Sequence, residues 1–113
     1  MTLVATRGDR TGEWDGIDID VVVPGAAVTV AGRLDASTAH LVRRALDEAV
    51  ACGEGDLVLD LRLAEVFDSA GLGVVVGAHR RAALAGRCLV VEHPSERFVR
   101  LARALRVGHV LGG

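Results

Sequence analysis

The sequence predicts a single α/β domain with one mixed β-sheet and helices packed on it, in the order ββαβαβα. Three observations carry this. Short β-branched or apolar runs alternate with segments of helical periodicity, and the connections between them are short. At 113 residues the chain is long enough for one core and too short for two.

Each element follows from its own residues. Met1 to Gly16 are polar and glycine-bearing without periodicity, which predicts a mobile arm over 1–16 ahead of a domain over 17–111. Ile17 to Val23 (IDIDVVV) alternates and then becomes a β-branched run. Pro24 and Gly25 supply turn chemistry, and AAVTVAG follows as a second strand. Asp35, Ser37 and Thr38 offer oxygens for an N-cap, before Leu41, Val42, Ala45, Leu46 and Ala49 recur at helical spacing up to Gly53. Leu57 to Leu61 (LVLDL) is the run expected of a strand covered on both faces, which implies a parallel crossover. In the segment after Phe67, Leu72, Val75, Val76, His79 and Ala83 form one stripe, closed by Gly86. Cys88 to Val91 (CLVV) reads as another buried strand. Pro94 and Ser95 then open a helix with the stripe Phe98, Leu101, Ala102 and Leu105, and Gly108 to Leu111 reads as a last short strand.

Composition excludes several functions. Half of the residues are hydrophobic and a quarter charged, which is not the composition of a disordered chain. A net charge of −2 gives no reason to expect nucleic acid or an acidic membrane as partner. With Trp14, Phe67 and Phe98 as the only aromatic residues, base-stacking platforms have little to build from. Cys52 and Cys88 lie far apart with no metal or redox spacing. The amino terminus lacks the apolar region of a signal peptide, and no apolar run approaches the ~20 residues of a membrane span. These features set a soluble, cytoplasmic protein as the expectation.

Enzymatic constellations are nearly absent. There is no GxSxG elbow, no GxxxxGK[ST] loop and no HExxH pair. Gly71 and Gly73 open a helix, but a dinucleotide fingerprint needs a third glycine where Val76 stands. His40, His79, His93 and His109 fall in four separate segments, so neither a triad nor a metal cluster is indicated, and no cofactor is expected.

The notable stretch is Asp68, Ser69, Ala70, Gly71, Leu72, Gly73, a hydroxyl at a strand-to-helix connection with an acid before it and two glycines after it. Each glycine in a first helical turn costs roughly 1 kcal/mol relative to Ala, so something other than helix propensity favours them. Close approach of another backbone is one such reason, and a flat surface on which a partner reaches Ser69 is its functional form. In the plainer reading Ser69 caps the helix and the glycines permit packing on the sheet.

GRLDAST at Gly32 to Thr38, the strand LVLDL, VFDSAGLGVVVGAHR at Val66 to Arg80 and the helix PSERFVRLARAL together resemble the STAS domain of bacterial anti-sigma factor antagonists. The likeness runs from about Ile17 to Leu111. It implies that the serine after the motif aspartate, Ser69, is phosphorylated by the partner anti-sigma factor, a serine kinase related to the histidine-kinase ATPases. It further implies a partner surface of Asp35, Asp68, Ser69, Ala70, Gly71, Leu72 and Gly73, and a serine phosphatase that resets the switch. Ala70 stands where many members carry a second Ser or Thr, which leaves one hydroxyl. Asp35 and Asp68 also have a local reading as caps of their helices, compatible with partner contact.

Two rival functions remain at this point. One is a STAS adaptor that docks on a transporter or stress-signalling assembly, with Ser69 only a cap. The other makes Ser69 a hydrolytic nucleophile, which needs an oxyanion hole and an oriented base that the sequence does not display. Arg80, Arg81 and Arg87 read either as cations that complement a helix C-terminus or as a basic patch for an acidic partner.

Overall fold

The computed structural model describes residues 16–66 and 68–108. The elements are β1 (Ile17–Val23), β2 (Ala27–Leu34), α1 (Ala39–Ala51), β3 (Asp56–Val66), α2 (Ser69–Leu84), β4 (Cys88–Glu92) and α3 (Glu96–Ala104), in the predicted order. The expected arm before Gly16 lies outside the described residues, as does the expected last strand after Gly108.

The sheet has the order β1-β2-β3-β4. β1 and β2 form an antiparallel hairpin, while β2 with β3 and β3 with β4 pair in parallel. The hairpin turn behaves as Pro24-Gly25 predicts. Ala26 N–H donates to Val23 O at 2.9 Å, and Gly25 has a φ of 73°, which a type II turn requires at its third position. The two parallel steps are joined by α1 and α2, because strands that run the same way need a long crossover between them.

One expectation is corrected. β3 is covered on one face and not both: Leu57, Leu59 and Leu61 are fully buried, while Val58 and Asp60 between them are only half-buried. The same alternation holds in β1, where Ile17 and Ile19 are buried, and in β2, where Val28 and Val30 are. The helices therefore occupy a single face. β4 is an edge strand in which Leu89 alone is buried and Cys88 is exposed, so CLVV is not a strand buried on both sides. A run of apolar residues does not distinguish full cover from an apolar residue tolerated on a half-covered face.

The core follows the helical stripes with small shifts. Val42, Ala45, Leu46 and Ala49 of α1 are buried, and Leu41 packs partly against them. In α2 the buried set is Gly71, Leu72, Val75, Val76, Ala78 and Ala82, so the seam rotates off His79 and Ala83. In α3 Phe98 and Ala102 are buried, whereas Leu105, just past the helix, is 49% exposed.

Arg87 ties the far end of the domain together and belongs to no basic patch. It is buried, and its guanidinium donates to Ala49 O at 2.8 Å, Val50 O at 3.0 Å, Gly55 O at 3.0 Å and Gly25 O. Two of these carbonyls end α1, so the cation complements that helix's C-terminus, not that of α2. Arg81 lies 2.6 Å from Asp47 of α1 as an ion pair, and Arg80 is exposed. The three arginines thus stand in three separate environments.

Candidate functional site

The site is built where two crossover loops meet at the same end of the sheet. One loop leaves β2 through Asp35, Ala36 and Ser37, and the other leads from β3 into α2 through Asp68. Asp68 stands at the N-cap of α2 in extended backbone, and its Oδ1 accepts the Gly71 N–H at 3.0 Å. Its Oδ2 accepts the Ala36 N–H at 3.2 Å. One carboxylate therefore caps a helix and tethers the neighbouring loop.

This settles the cap. Asp68 holds the position, and Ser69 is the first residue of the helix, exposed, with nothing among the described residues holding its hydroxyl. At that place the hydroxyl stands beside the unpaired N–H groups of the first turn, where negative charge is favoured.

The first loop is organised by Asp35, though not as a helix cap. Its Oδ1 accepts the Ser37 N–H at 2.9 Å and the Ser37 hydroxyl at 2.6 Å, a local turn. Thr38 occupies the N-cap of α1 without a side-chain cap bond. Its buried hydroxyl donates to Arg33 O at 2.7 Å and accepts the Asp35 N–H at 3.1 Å. The Asp35 carboxyl is held below its usual range, first by the Ser37 hydroxyl, which outweighs the opposing desolvation, and then by the Ser37 and Thr38 backbone N–H groups and by Arg33. Arg33 Nε lies 3.5 Å from Asp35 Oδ2.

The seven residues expected on the partner surface divide. Ser69, Ala70 and Gly73 are exposed, and Asp35 and Asp68 are half-buried. Gly71 and Leu72 point inward, so their place is in the packing of α2 and not on the surface. A methyl group on Gly71 would collide with the Leu34 carbonyl, with the carbonyl carbon only 3.0 Å away. Close backbone approach is therefore the reason for Gly71. Gly73 is different, since a methyl there would meet nothing within 4 Å. Packing among the described residues does not require it. Ala36 and Ser37 are exposed beside Asp35, and the spacing Asp35-Ala36-Ser37 carries the signal for their turn.

Among the described residues no group of three or more His, Cys, Asp or Glu side chains is placed to hold a metal ion, and no helix is long and apolar enough to cross a membrane.

A family model described as "Mlab, STAS domain" matches residues 19–112. The chain belongs to the STAS domain family. This is a family of non-enzymatic, regulatory binding domains. Solved structures share the fold. The unphosphorylated anti-sigma factor antagonist SpoIIAA is similar with a TM-score of 0.63 at 22% identity, covering 84% of each chain. The Bacillus cell fate determinant SpoIIAA in its phosphorylated form has a TM-score of 0.61 at 22% identity, covering 84% of this STAS chain and 87% of its own. The solution structure of the protein TM1081 reaches 0.63 at 23% identity over 80% and 74% of the two chains. No curated protein sequence matches the chain.

Proposed function

We propose that this STAS domain is an anti-sigma factor antagonist that binds an anti-sigma factor when unmodified and is released when Ser69 is phosphorylated. The observation that carries the reading is the division of labour between neighbours: Asp68 caps α2, which leaves the Ser69 hydroxyl exposed and unengaged among the described residues. The likeness to an antagonist solved in unphosphorylated and phosphorylated forms supports it. The partner is a serine kinase of the histidine-kinase-like ATPase class, and a serine phosphatase reverses the mark. The kinase transfers the γ-phosphoryl group of ATP to Ser69 Oγ, which loses its proton as the new O–P bond forms and ADP leaves.

Charge makes this a switch. The phosphate adds about −1.5 to −2 units at the N-terminus of α2, favourable by roughly 0.3–1 kcal/mol, while Asp68 beside it repels. The domain keeps its fold. Against a partner the balance differs, because burying an unpaired dianion costs several kcal/mol and about 4 kcal/mol is a thousandfold in affinity. Gly73, one turn from Ser69, fits the same surface: a glycine that nothing among the described residues requires lets a partner's backbone come close.

The test pairs two measurements. Incubation with the kinase and ATP adds one phosphate by intact mass, and Ser69→Ala abolishes it; equal labelling of both chains overturns the assignment. Unmodified protein retains the anti-sigma factor in a pull-down that Ser69→Asp loses. The family match shows a STAS domain and nothing finer, and the second reading is a non-switching adaptor docking on a transporter or stress-signalling assembly. Under that reading neither chain is phosphorylated and Ser69→Asp keeps its partner.

A further inference from the structure

The helices leave the second face of the sheet uncovered by any described element, and its surface is acidic. The strand register sets Asp20, Thr29, Asp60 and Glu92 in one row from β1 to β4, with Asp18, Ala31 and Leu63 in the next. The cations on that side are partly committed: Arg62 Nη2 lies 3.8 Å from Asp60 Oδ2, and His93 Nδ1 lies 3.3 Å from Asp60 Oδ1. A register shift opposite Thr29 to Ala31 moves Leu63 onto this face, where it is 64% exposed. An apolar knob thus stands on a face where Asp18, Asp20, Asp60, Glu65 and Glu92 outnumber Arg33 and Arg62.

α3, on the other layer, presents the converse. Arg100 and Arg103 flank an open groove of about 330 Å³ whose apolar walls are Pro94 and Val99, with Glu96 at its edge. Glu96 is the one acid of the groove and lies 3.9 Å from Arg100. Arg106 continues the basic side just beyond the helix, next to the exposed Leu105. A knob on a sheet face where carboxylates outnumber cations and a groove where arginines outnumber acids, on separate surfaces of one chain, fit between copies.

We propose that a second copy of this chain docks its α3 on the open sheet face, with Leu63 of one copy seated in the α3 groove of the next. The contact is heterologous, so each copy still offers one free knob and one free groove, and association continues unless the rotation closes a ring. It uses neither Ser69 nor the loops beside it. Because exposed charges frame it, salt weakens it over a screening length of about 8–10 Å.

Sedimentation velocity on the full chain tests this over a concentration series at low and high salt. The expected result is a sedimentation coefficient that rises with concentration at low salt and stays at the monomer value at high salt. Leu63→Ser, the pair Asp20→Arg with Glu92→Arg, and the pair Arg100→Glu with Arg103→Glu each weaken self-association about tenfold or more. An equimolar mixture of the two charge-reversed chains restores it. A wild type that stays monomeric at low salt overturns the proposal, as does association that all the variants share. Should a charge-reversed chain fail to fold, the wild-type salt series and Leu63→Ser decide alone.

Discussion

Asp68 and Ala36, 32 positions apart, are joined by a hydrogen bond of 3.2 Å from the Ala36 N–H to Asp68 Oδ2, while the other oxygen of the same carboxylate accepts the Gly71 N–H. The loop before α1 and the first turn of α2, which begins at Ser69, are thereby held together. Two roles in one side chain can be separated. Asp68→Asn keeps a carbonyl oxygen for one of these donors but turns an NH₂ toward the other, whereas Asp68→Ala loses both. Thermal unfolding should show Asp68→Ala destabilised by about 1–2 kcal/mol and Asp68→Asn by less. Equal losses in the two variants would mean that the bond kept by the Asn carbonyl contributes nothing.

Ser69→Ala should leave stability within about 0.5 kcal/mol of wild type, since the hydroxyl has no cap to lose. A midpoint shift by urea as large as that of Asp68→Ala would show that Ser69 supports the helix after all.

Gly71 and Gly73 should respond oppositely to alanine. Gly71→Ala forces a methyl against the Leu34 carbonyl and is expected to cost about 1–3 kcal/mol. Gly73→Ala meets open space and should stabilise the helix by roughly 0.5–1 kcal/mol, while partner capture weakens if the glycine serves close approach. A Gly73→Ala chain that is less stable than wild type would contradict the geometry.

Arg87→Met removes the donors of four backbone carbonyls from three segments and is expected to cost about 3 kcal/mol or more. Arg87→Lys should recover only part, because an ammonium does not reproduce the planar fork. Chemical denaturation of both variants measures this.

Asp60 sets an acid limb to stability. Its carboxyl is held below the usual range, first by the Arg62 N–H at 2.9 Å and then by His93 and Arg62, while partial desolvation opposes. A depressed folded value stabilises above the unfolded carboxylate pKa of about 3.9, and that contribution disappears as pH falls through the folded value. Melting temperatures of wild type and Asp60→Asn should differ at neutral pH and converge in acid. A constant gap across that range would remove Asp60 from the account.

Much of the fold was legible in the sequence because period and punctuation are local. Pro24-Gly25 specified its turn, Gly86 ended α2 with a φ of 76°, and Ser95 caps α3 by accepting the Phe98 N–H at 3.1 Å. The face of the sheet that stays open was not legible, since Val58 and Val90 look alike in sequence whether or not a helix lies over them. Nor was the burial of Arg87, whose partners come from Gly25, Ala49, Val50 and Gly55. In sequence it sits near Arg80 and Arg81 and looks like them.

By itself, then, the sequence determined the order of the elements and the motif that carries the exposed hydroxyl, because helical period, strand alternation and turn chemistry act over a few residues. Only the tertiary structure decided that Asp68 and not Ser69 caps α2, that Gly71 is needed against Leu34 while Gly73 is not, and that Asp35 and Asp68 share one surface. Those outcomes depend on which backbone groups from distant segments arrive within about 3 Å of one another, and that is fixed by how α1 and α2 pack on the sheet.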